Sequence, residues 1–297
     1  TPVYDPPAEV LRAMLRSVHD QEFTDWEHCL VDDGSSAPHV RRILDAAAKA
    51  DDRVLVAHRE RNGGIVAASN DALAMATGEF VALLDHDDEL HPHALAAVDR
   101  RLADRPDADY AYSDEDKIDE AGRRSTAFFK PGWSPERLRT QMYTCHLSVM
   151  RRSLVEQVGG FRQEFHGSQD WDLVLRVTEL ARAVVHVPEV LYHWRTLATS
   201  TAGAGQEAKP WAFEAGTRAI QAHCDRTGIE AAVHHDDVHH GIYHLTPRLT
   251  SRPRASIVMP TGGSRRQVRG EDVLLAEHCI ASIVATSTYP DYETIRV

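Results

Sequence analysis

The 297-residue chain carries 33 lysines and arginines against 45 aspartates and glutamates, giving a formal net charge of -12 at pH 7. Hydrophobic residues make up 42% and charged residues 26%, values close to those of folded globular proteins, so wholesale disorder is excluded. The acidic balance argues against nucleic acid as the main ligand, because a phosphate backbone requires a basic protein face.

The cysteine content and the absence of long apolar runs favour the cytoplasm. Four cysteines lie far apart with no C-x-x-C pair, a pattern typical of reduced thiols and not of disulfides or zinc ligands. No apolar run approaches the roughly 20 residues that span a bilayer, and no signal-peptide pattern is visible. We therefore expect a cytoplasmic globular protein.

The first third of the chain alternates predicted helices with predicted strands. Apolar residues at helical spacing predict helices over 6–19, from Pro38 onward, over 65–76 and around 92–103. Short buried runs predict strands over 28–31, 54–57 and 80–84. This alternation predicts a parallel, doubly wound α/β sheet, a fold that binds ligands at the carboxyl ends of its strands.

The pattern continues less regularly beyond residue 104. Strands are predicted over 110–112, 147–150 and 183–187, and helices over 152–158, 171–180 and 209–227. Gly, Pro and aromatic residues over 121–135 predict an irregular loop, and residues 192–195 are interpreted as a second loop.

The end of the chain repeats its beginning. Residues 255–261 have a buried-strand pattern followed by proline, and residues 289–293 resemble residues 23–27. Residues 1–4 match the segment that directly follows the strand of the second copy. We therefore predict one domain over 1–245 that lacks its first strand, and the beginning of a similar domain over 246–297, together a fragment of a longer tandem protein.

A missing first strand would leave the edge of a central sheet without hydrogen-bond partners. The sequence suggests one remedy, because the strand predicted over 255–259 is of the same type as the missing one. We expect that strand to pair with the first domain's sheet, either within the chain or between chains.

Acidic residues follow two of the predicted strands. In Asp85-His86-Asp87-Asp88, carboxylates two residues apart can hold a divalent cation, while a neighbouring carboxylate binds a ribose. Such a cation would neutralise a diphosphate leaving group. Asp32 and Asp33 can accept hydrogen bonds from a base or a ribose. The alternatives are a solvated acidic turn at 85–88 and a simple helix cap at 32–33.

Two further positions have side chains suited to catalysis. Asp170 and Asp172 begin a predicted helix, whose dipole favours ionised carboxylates, so either suits a general base in a displacement that inverts an anomeric centre. His193 could supply an imidazole ligand to the same cation. The alternatives are that the carboxylates cap the helix and that His193 is structural.

Taken in order, these motifs resemble those of the family 2 glycosyltransferases of the GT-A fold, particularly the tandem bacterial enzymes of O-antigen and related glycan synthesis. The segments that carry the resemblance are residues 2–4, 31–35, 62–65 with Asn70, 84–88, 112–117, 167–170 and 193–195. The resemblance implies a Rossmann-like, mostly parallel central sheet with helices on both faces, followed by the truncated start of a second similar domain.

The resemblance also implies an activity and its partners. The expected enzyme is an inverting glycosyltransferase that moves a sugar from a UDP- or dTDP-linked donor to a saccharide or lipid-linked saccharide in bacterial surface polysaccharide synthesis. Its expected cofactor is Mn²⁺ or Mg²⁺. Lipid-linked acceptors would bring peripheral association with the inner face of the membrane.

The residue roles that the resemblance implies fall into four groups. Nucleotide-binding residues are Tyr4, Asp32, Asp33, Arg61, Asn70 and Asp85. Metal ligands are Asp87, which forms the D-x-D pair with Asp85, together with Asp88 and His193. Asp170 is the catalytic base, preceded by Gln169 where many relatives have glutamate. Loop position suggests that Glu115, Trp133 and His146 border the acceptor.

Two other functions are alternatives to sugar transfer. A sugar-phosphate nucleotidyltransferase would also use acidic residues and a metal, but it needs a basic, glycine-rich phosphate loop after its first strand, which the sequence lacks. A glycan-binding scaffold without activity is disfavoured by the intact Asp85, Asp87, Asp170 and His193.

Overall fold

The computed structural model describes residues 1–196 and 210–297, and these divide into two compact units, Thr1–Pro247 and Arg248–Val297. The sequence had placed this boundary between residues 245 and 246. In the described parts of the chain, no helix combines the length and the apolar character that crossing a bilayer requires.

The first half of the larger unit alternates short strands with amphipathic helices. Its elements are β1 (Pro2–Val3), α1 (Ala8–His19), β2 (His28–Asp32), α2 (Pro38–Ala50), β3 (Val54–His58), α3 (Ile65–Met75), β4 (Phe80–Ala82), β5 (Glu89–Leu90) and α4 (Ala94–Asp104). Helix α1 buries Leu11, Met14 and Val18, which helical spacing places on one face. Pro38 starts α2, where its missing N–H costs no hydrogen bond.

The second half of the unit is mixed. Its elements are β6 (Tyr110–Ile118), β7 (Arg124–Phe128), α5 (Pro135–Leu138), β8 (Ser148–Arg151), α6 (Arg152–Gln157), α7 (Gln169–Leu180), β9 (Val184–Arg195), α8 (Pro210–Thr227), β10 (Ala231–His235) and β11 (Tyr243–Pro247). Lys209, predicted as the first residue of a helix, lies outside the described residues.

The strands of the larger unit form a parallel sheet, a mixed sheet and an antiparallel pair of β10 and β11. Strands β1, β2 and β3 are parallel, and the sequence predicts the last two of them. The six-stranded sheet has the order β4-β8-β6-β9-β5, with β7 beside β6, and among its pairs β6 and β9 run parallel while the others are antiparallel. Ala111 of β6 packs beneath α1, α2 and α4, whereas its neighbours Tyr110 and Tyr112 pack with α7 and α8. Helices therefore cover both faces.

Three details differ from the sequence-based expectations. β6 continues to Ile118, so the acidic residues 113–116 lie within a strand and not after it. β7 occupies part of the region predicted as an irregular loop, and β9 extends through residues 192–195, which were interpreted as a loop. Polar residues can occupy the ends of β6 and β9 because the two strands bury them against each other, as at Asp116 and His193.

The smaller unit comprises β12 (Ala255–Met259), β13 (Arg265–Val268), β14 (Glu271–Leu274), α9 (Leu275–Thr286) and β15 (Tyr292–Arg296). β12 pairs in parallel with β15 within this unit, and the expectation that it completes the first domain's sheet stays a prediction. In the larger unit, the two-residue strand β1 pairs with β2 where the sequence predicted no opening strand.

A buried ion network fixes the start of α7. Asp172 is completely buried and accepts hydrogen bonds from Arg162 (Nε to Oδ2, 3.1 Å) and Arg176 (Nε to Oδ2, 2.9 Å). Arg176 also donates to the carbonyls of Val158 and Gly160, both at 2.6 Å. Asp172 is therefore a structural anchor, and the alternative that it serves as a general base is not supported.

Removal of the Asp172 carboxylate should lower the stability of the folded protein. We expect Asp172→Ala to lower the free energy of unfolding by about 3 kcal/mol, because the buried guanidinium group of Arg176 and the partly exposed one of Arg162 lose their counter-charge. Urea denaturation followed by circular dichroism measures the loss. Glu9→Ala is the matched control, since its ion pair with Arg12 is exposed and should change stability by less than about 0.5 kcal/mol. Equal effects of the two substitutions would contradict this assignment.

Candidate active site

The acidic residues after β4 occupy two different environments. The side chain of Asp85 is about half exposed (47%), whereas Asp88 is fully buried. Asp88 accepts a hydrogen bond from the Tyr192 hydroxyl (2.6 Å) and one from the backbone N–H of Arg195 (2.7 Å). Burial, reinforced by the charge of Asp85, raises the pKa of Asp88 well above its ordinary value. Asp88 thus connects β9 to the residues that follow β4, whereas the side chain of Asp85 is accessible to solvent.

An imidazole approaches this pair of carboxylates from a distant part of the sequence. The ring of His146 stacks on Tyr192 at a centroid distance of 4.5 Å and meets Trp194 edge-on at 5.3 Å. Its Nε2 lies 4.0 Å from Oδ2 of Asp85. Potential ligand atoms of Asp85, Asp88 and His146 all lie within 4.8 Å of one another. Two carboxylates and an imidazole at this spacing can hold a divalent cation.

His193 is not part of this group. Its Nδ1 lies 2.6 Å from Oδ1 of Asp116, and its ring contacts His91 at a centroid distance of 6.0 Å. Tyr192 and Trp194, its neighbours on β9, both contact His146. Because successive side chains of a strand point to opposite faces, His193 lies on the other face of β9. In this structure His146, and not His193, lies beside Asp85 and Asp88, and the role of His193 as a metal ligand stays a prediction.

The carboxylate grouped with Asp85 and His146 in this structure is that of Asp88, and the role of Asp87 in a D-x-D pair stays a prediction. The backbone carbonyl of Asp87 accepts a hydrogen bond from Nε of Arg195 (2.7 Å), and burial raises the pKa of its carboxyl group. The predicted pairing of Asp85 with Asp87 assumes that residues two apart face the same side, as they do in a strand. A turn follows β4, so this alternation does not continue through the acidic residues.

A buried lysine holds the loop that carries His146. Nζ of Lys130 has no exposed surface and donates to Oε2 of Glu115 (3.1 Å) and to the carbonyls of Thr144 (2.8 Å) and His146. The same Oε2 of Glu115 accepts the backbone N–H of His146 (3.0 Å). All three donors of the ammonium group are satisfied. Sequence reasoning missed Lys130, and only its isolated position among aromatic and proline residues could have drawn attention to it.

The same contacts shift the proton affinities of this network. Burial alone would raise the pKa of Glu115, but the hydrogen bond from His146 and the charge of Lys130 outweigh it and lower the pKa to about 2. Burial opposes the charge of His146, yet Cys145 and Glu115 raise its pKa well above the ordinary value. Glu115 was expected to border an acceptor. In this structure it is a buried counter-charge to Lys130, and a position at the acceptor stays a prediction.

Asp170 lies at the same cavity as Asp85 and His146. It is the second residue of α7 and is partly exposed. Together these three side chains line part of a cavity of about 910 Å³. Burial raises the pKa of Asp170, the charge of His146 opposes the rise, and that of Asp85 adds to it. The structure therefore brings the predicted base to the same place as the acidic residues that follow β4.

The loop before Asp170 is held against α8. Gly167 has a φ of +97°, and a Cβ at this position would lie 2.2 Å from the ring of Trp211. The hydroxyl of Ser168 donates to the carbonyl of Ala212 at 2.9 Å. Glycine is required here because the backbone is left-handed and the indole occupies the space of a side chain. These contacts position the residue that begins α7, and Asp170 with it.

Asp32 and Asp33 are engaged within the protein. Asp33 accepts the backbone N–H groups of Gly63 (2.9 Å) and Gly64 (2.8 Å), and so closes the glycine turn. Asp32 pairs with Nδ1 of His58 (2.9 Å). Both carboxylates are almost completely buried. They organise the loops at the carboxyl ends of β2 and β3, and a direct nucleotide-binding role stays a prediction.

The remaining predicted residues divide into exposed and structural ones. Tyr4 and Arg61 are exposed and available to a ligand. The side-chain amide of Asn70 bonds the backbone N–H and carbonyl of Phe161, both at 2.9 Å, so it is a structural brace and not a nucleotide ligand. Trp133, expected at the acceptor site, packs against the core beside α7 and α8.

The sequence matches a known protein family. Residues 1–159 match the model described as glycosyl transferase family 2. The chain belongs to this family. Two curated relatives align with the whole chain: an uncharacterised protein, y4gI, of Sinorhizobium fredii at 40% identity, and the O-antigen biosynthesis protein RfbC of Myxococcus xanthus at 38%. The chain spans 32% and 22% of their respective lengths.

Solved structures confirm the fold of this family 2 member. The crystal structure of Staphylococcus aureus TarS 1-349 in complex with UDP-GlcNAc has a TM-score of 0.60 and 20% sequence identity, covering 75% of this chain and 64% of that one. A second crystal structure of S. aureus TarS matches with a TM-score of 0.58, over 74% of this chain and 38% of that one. The expected GT-A fold is thereby confirmed.

The Glu115 network predicts a specific dependence of stability on pH. The pKa of Glu115 is about 2 in the folded protein and 4.5 in the ordinary state, so its contribution is complete above pH 4.5 and is lost as the pH falls toward 2. We expect Glu115→Gln to lower the free energy of unfolding by on the order of 3 kcal/mol at pH 6, and by progressively less below pH 4.5.

Urea denaturation of both proteins between pH 6 and pH 3 measures this difference. Glu136→Gln is the matched control, because that side chain is 75% exposed and its effect should be small at every pH. A difference between wild type and Glu115→Gln that stays constant with pH would contradict the depressed pKa.

Proposed function

We propose that this chain is a metal-dependent, inverting glycosyltransferase that moves a sugar from a UDP- or dTDP-linked donor to a hydroxyl group of a saccharide. The observation that carries the proposal is the meeting of Asp85, His146 and Asp170 at one cavity. The relative named for O-antigen biosynthesis supports a role in bacterial surface polysaccharide synthesis, and the TarS complex with UDP-GlcNAc supports a nucleotide-sugar donor.

Asp85, Asp88 and His146 are the residues that would hold Mn²⁺ or Mg²⁺. Their oxygen and nitrogen atoms suit such cations, and the Asp85 carboxylate accepts no hydrogen bond from the described residues. His146 must release its second ring proton to become a ligand, so cation binding competes with protonation. When bound, the cation neutralises the diphosphate of the donor.

Asp170 is the proposed general base. One of its carboxylate oxygens takes the proton of the acceptor hydroxyl, while the acceptor oxygen forms a bond to the anomeric carbon. The bond from that carbon to the diphosphate oxygen breaks on the opposite face, and the nucleoside diphosphate leaves with the electron pair. One displacement without a covalent intermediate inverts the anomeric centre. The raised pKa of Asp170 makes it a better proton acceptor than an ordinary aspartate.

The exposed residues beside the loops that Asp32 and Asp33 organise are the proposed contacts to the nucleotide. Tyr4 offers an aromatic face for a base, and Arg61 offers a cation for phosphate or ribose oxygens. The acceptor we propose is a saccharide or a lipid-linked saccharide, reached from the cytoplasm at the inner face of the membrane. Each of these assignments concerns the donor or the acceptor of the same proposed sugar transfer.

The base assignment is tested by Asp170→Asn. We expect kcat to fall roughly 10³-fold while the dissociation constant of the nucleotide changes less than twofold, because only the proton acceptor is lost. Steady-state release of nucleoside diphosphate from a panel of UDP- and dTDP-sugars, with saccharide acceptors, measures kcat. Glu164→Gln, an exposed carboxylate shortly before α7, is the matched control and should retain full activity. Sugar transfer at the wild-type rate by the Asp170→Asn variant would contradict the assignment of Asp170 as the general base.

The metal ligands are tested by comparing two histidines. We expect His146→Ala to weaken Mn²⁺ binding at least 10-fold, because it removes a ligand, whereas His193→Ala should change binding less than twofold. Calorimetry or the electron paramagnetic resonance signal of free Mn²⁺ measures the affinity without reference to activity. Circular dichroism checks that both variants fold. The reverse order of effects would restore the sequence-based assignment to His193.

A further inference from the structure

Histidine is concentrated in the hairpin formed by β10 and β11. Five of the 18 histidines of the chain lie between residues 234 and 244, together with Asp236 and Asp237. Residues 231–247 contain no lysine or arginine, so imidazole is the basic group that the hairpin offers. None of these residues lines the cavity of the candidate active site. A solvent-exposed hairpin can be polar without histidine, so this composition points to a property of the imidazole ring itself.

The hairpin has an inner face and an outer face. His235 and Tyr243 pair across the two strands and therefore share one face. That face packs on α8, because the buried Tyr243 donates its hydroxyl to the carbonyl of Phe213 at 3.2 Å, and the ring of Phe213 lies 6.2 Å from that of His235. His234 and His244 pair on the opposite face, where both are exposed. The outer face is therefore accessible to a ligand.

Imidazoles and a carboxylate meet on the outer face. The ring centroids of His234 and His244 lie 5.4 Å apart. Nε2 of His244 lies 2.8 Å from Oδ2 of Asp236, which follows His234 by two residues. A third imidazole comes from the turn between the strands, where Nδ1 of His239 lies 3.4 Å from Oδ1 of Asp236. Three imidazoles and one carboxylate therefore form a connected group.

The backbone of the turn holds the carboxylate of Asp236 in place. Its Oδ1 accepts the N–H groups of Val238 (2.8 Å) and His239 (2.7 Å). The N–H of Asp236 in turn donates to the carbonyl of Ile242 at 2.8 Å. Among the described residues, the hydrogen-bond partner of Oδ2 is His244. Oδ2 is therefore the oxygen that can bind a cation while the turn keeps its backbone hydrogen bonds.

The types and spacing of these groups select a class of cation. Imidazole nitrogen suits Zn²⁺, Ni²⁺ and Cu²⁺, whereas Mg²⁺ and Mn²⁺ prefer oxygen ligands. The two nitrogen–oxygen distances at Asp236, 2.8 and 3.4 Å, lie close to the separation of about 3.3 Å between two ligands of a tetrahedral Zn²⁺.

The hairpin ligands must still move closer together to surround one ion. Among the described residues, the groups of three ligand atoms within 4.8 Å of one another contain His146 and lie outside the hairpin. The side chain of His239 is 75% exposed and that of His244 is 50% exposed. Rotation of these side chains therefore loses little packing.

We propose that the outer face of the β10–β11 hairpin binds a divalent transition metal of the Zn²⁺ class, held by His234, His244 and Oδ2 of Asp236, with His239 of the turn as the fourth ligand. Metal–ligand bonds replace the hydrogen bond between His244 and Asp236. The cation joins both strands and the turn, so its binding stabilises the folded hairpin. The site shares no residue with the candidate active site, and the inference does not depend on the proposed sugar transfer.

Titration of the full chain with Zn²⁺ tests the site. The His146→Ala protein is the parent, so that the candidate active site supplies no imidazole. We expect Asp236→Asn and His244→Ala to weaken Zn²⁺ binding at least 10-fold in isothermal titration calorimetry. Asparagine keeps an oxygen that accepts the backbone N–H groups, so the turn is retained while the charged ligand is lost. His19→Ala is the matched control, because His19 lies 3.5 Å from one carboxylate, that of Asp51, and should change binding less than twofold.

X-ray absorption and thermal denaturation give readouts that a purely structural role would not change. We expect the absorption edge of bound Zn²⁺ to show three imidazoles in the His146→Ala parent and fewer after His239→Ala. Zn²⁺ should raise the melting temperature of the parent by more than that of its Asp236→Asn derivative. Unchanged Zn²⁺ affinity in both Asp236→Asn and His244→Ala, or no binding at millimolar Zn²⁺, overturns the site. None of these readouts involves sugar transfer, so failure here is distinguishable from failure of the proposed function.

Discussion

The buried ion pair between Lys130 and Glu115 is the interaction on which the arrangement of the site depends. Its two charges sit in the protein interior, and they are tolerated because every donor of the ammonium group has an acceptor and the carboxylate also accepts the N–H of His146. Through these bonds the pair fixes a loop that has no regular secondary structure. His146 consequently reaches Asp85 and Asp88 at a defined distance, although almost sixty residues separate them in sequence.

Carboxylates that look alike in the sequence have different tasks in this structure. Asp170 and Asp172 are two residues apart in α7, yet one faces the cavity and the other is sealed between two arginines. Asp85 and Asp88 differ in the same way, since among the described residues the Asp88 carboxylate accepts hydrogen bonds and the Asp85 carboxylate accepts none. In each pair, the buried carboxylate is bonded within the protein, and the other faces the cavity.

The order of elements was predictable from the sequence, and the identity of contacts between distant residues was not. Periodicity located β2, β3, β4 and the helices between them to within a few residues, because each element buries one face or a short apolar run. The resemblance to family 2 glycosyltransferases, and not periodicity, placed Asp170 at the same site as Asp85. It could not reveal that residues 192–195 continue β9, because their polar side chains resemble a loop until Asp116 and Asp88 are seen to pair with them.

Once residues 192–195 form a strand, the choice of histidine follows. Side chains of a strand point alternately to its two faces, so His193 lies on the face opposite to Tyr192 and Trp194. His146 packs against the rings of those two residues. The sequence-based assignment and the structure therefore differ in the strand face from which an imidazole approaches the acidic pair, and not in the chemistry of the group. Short spacing along a chain identifies candidate ligands, but only the direction of each side chain decides which of them meet.

The open edge of β4 connects the candidate site to the cavity behind it. β4 is only three residues long and is held by β8 on one side, and Asp85 follows its end by three residues. The cavity that reaches Asp85 and Asp170 is continuous with the space between β2 and β4, so the same walls serve both. The carboxylates of Asp85 and Asp170 therefore border one continuous space, whose apolar walls are formed by helices and strands of the larger unit.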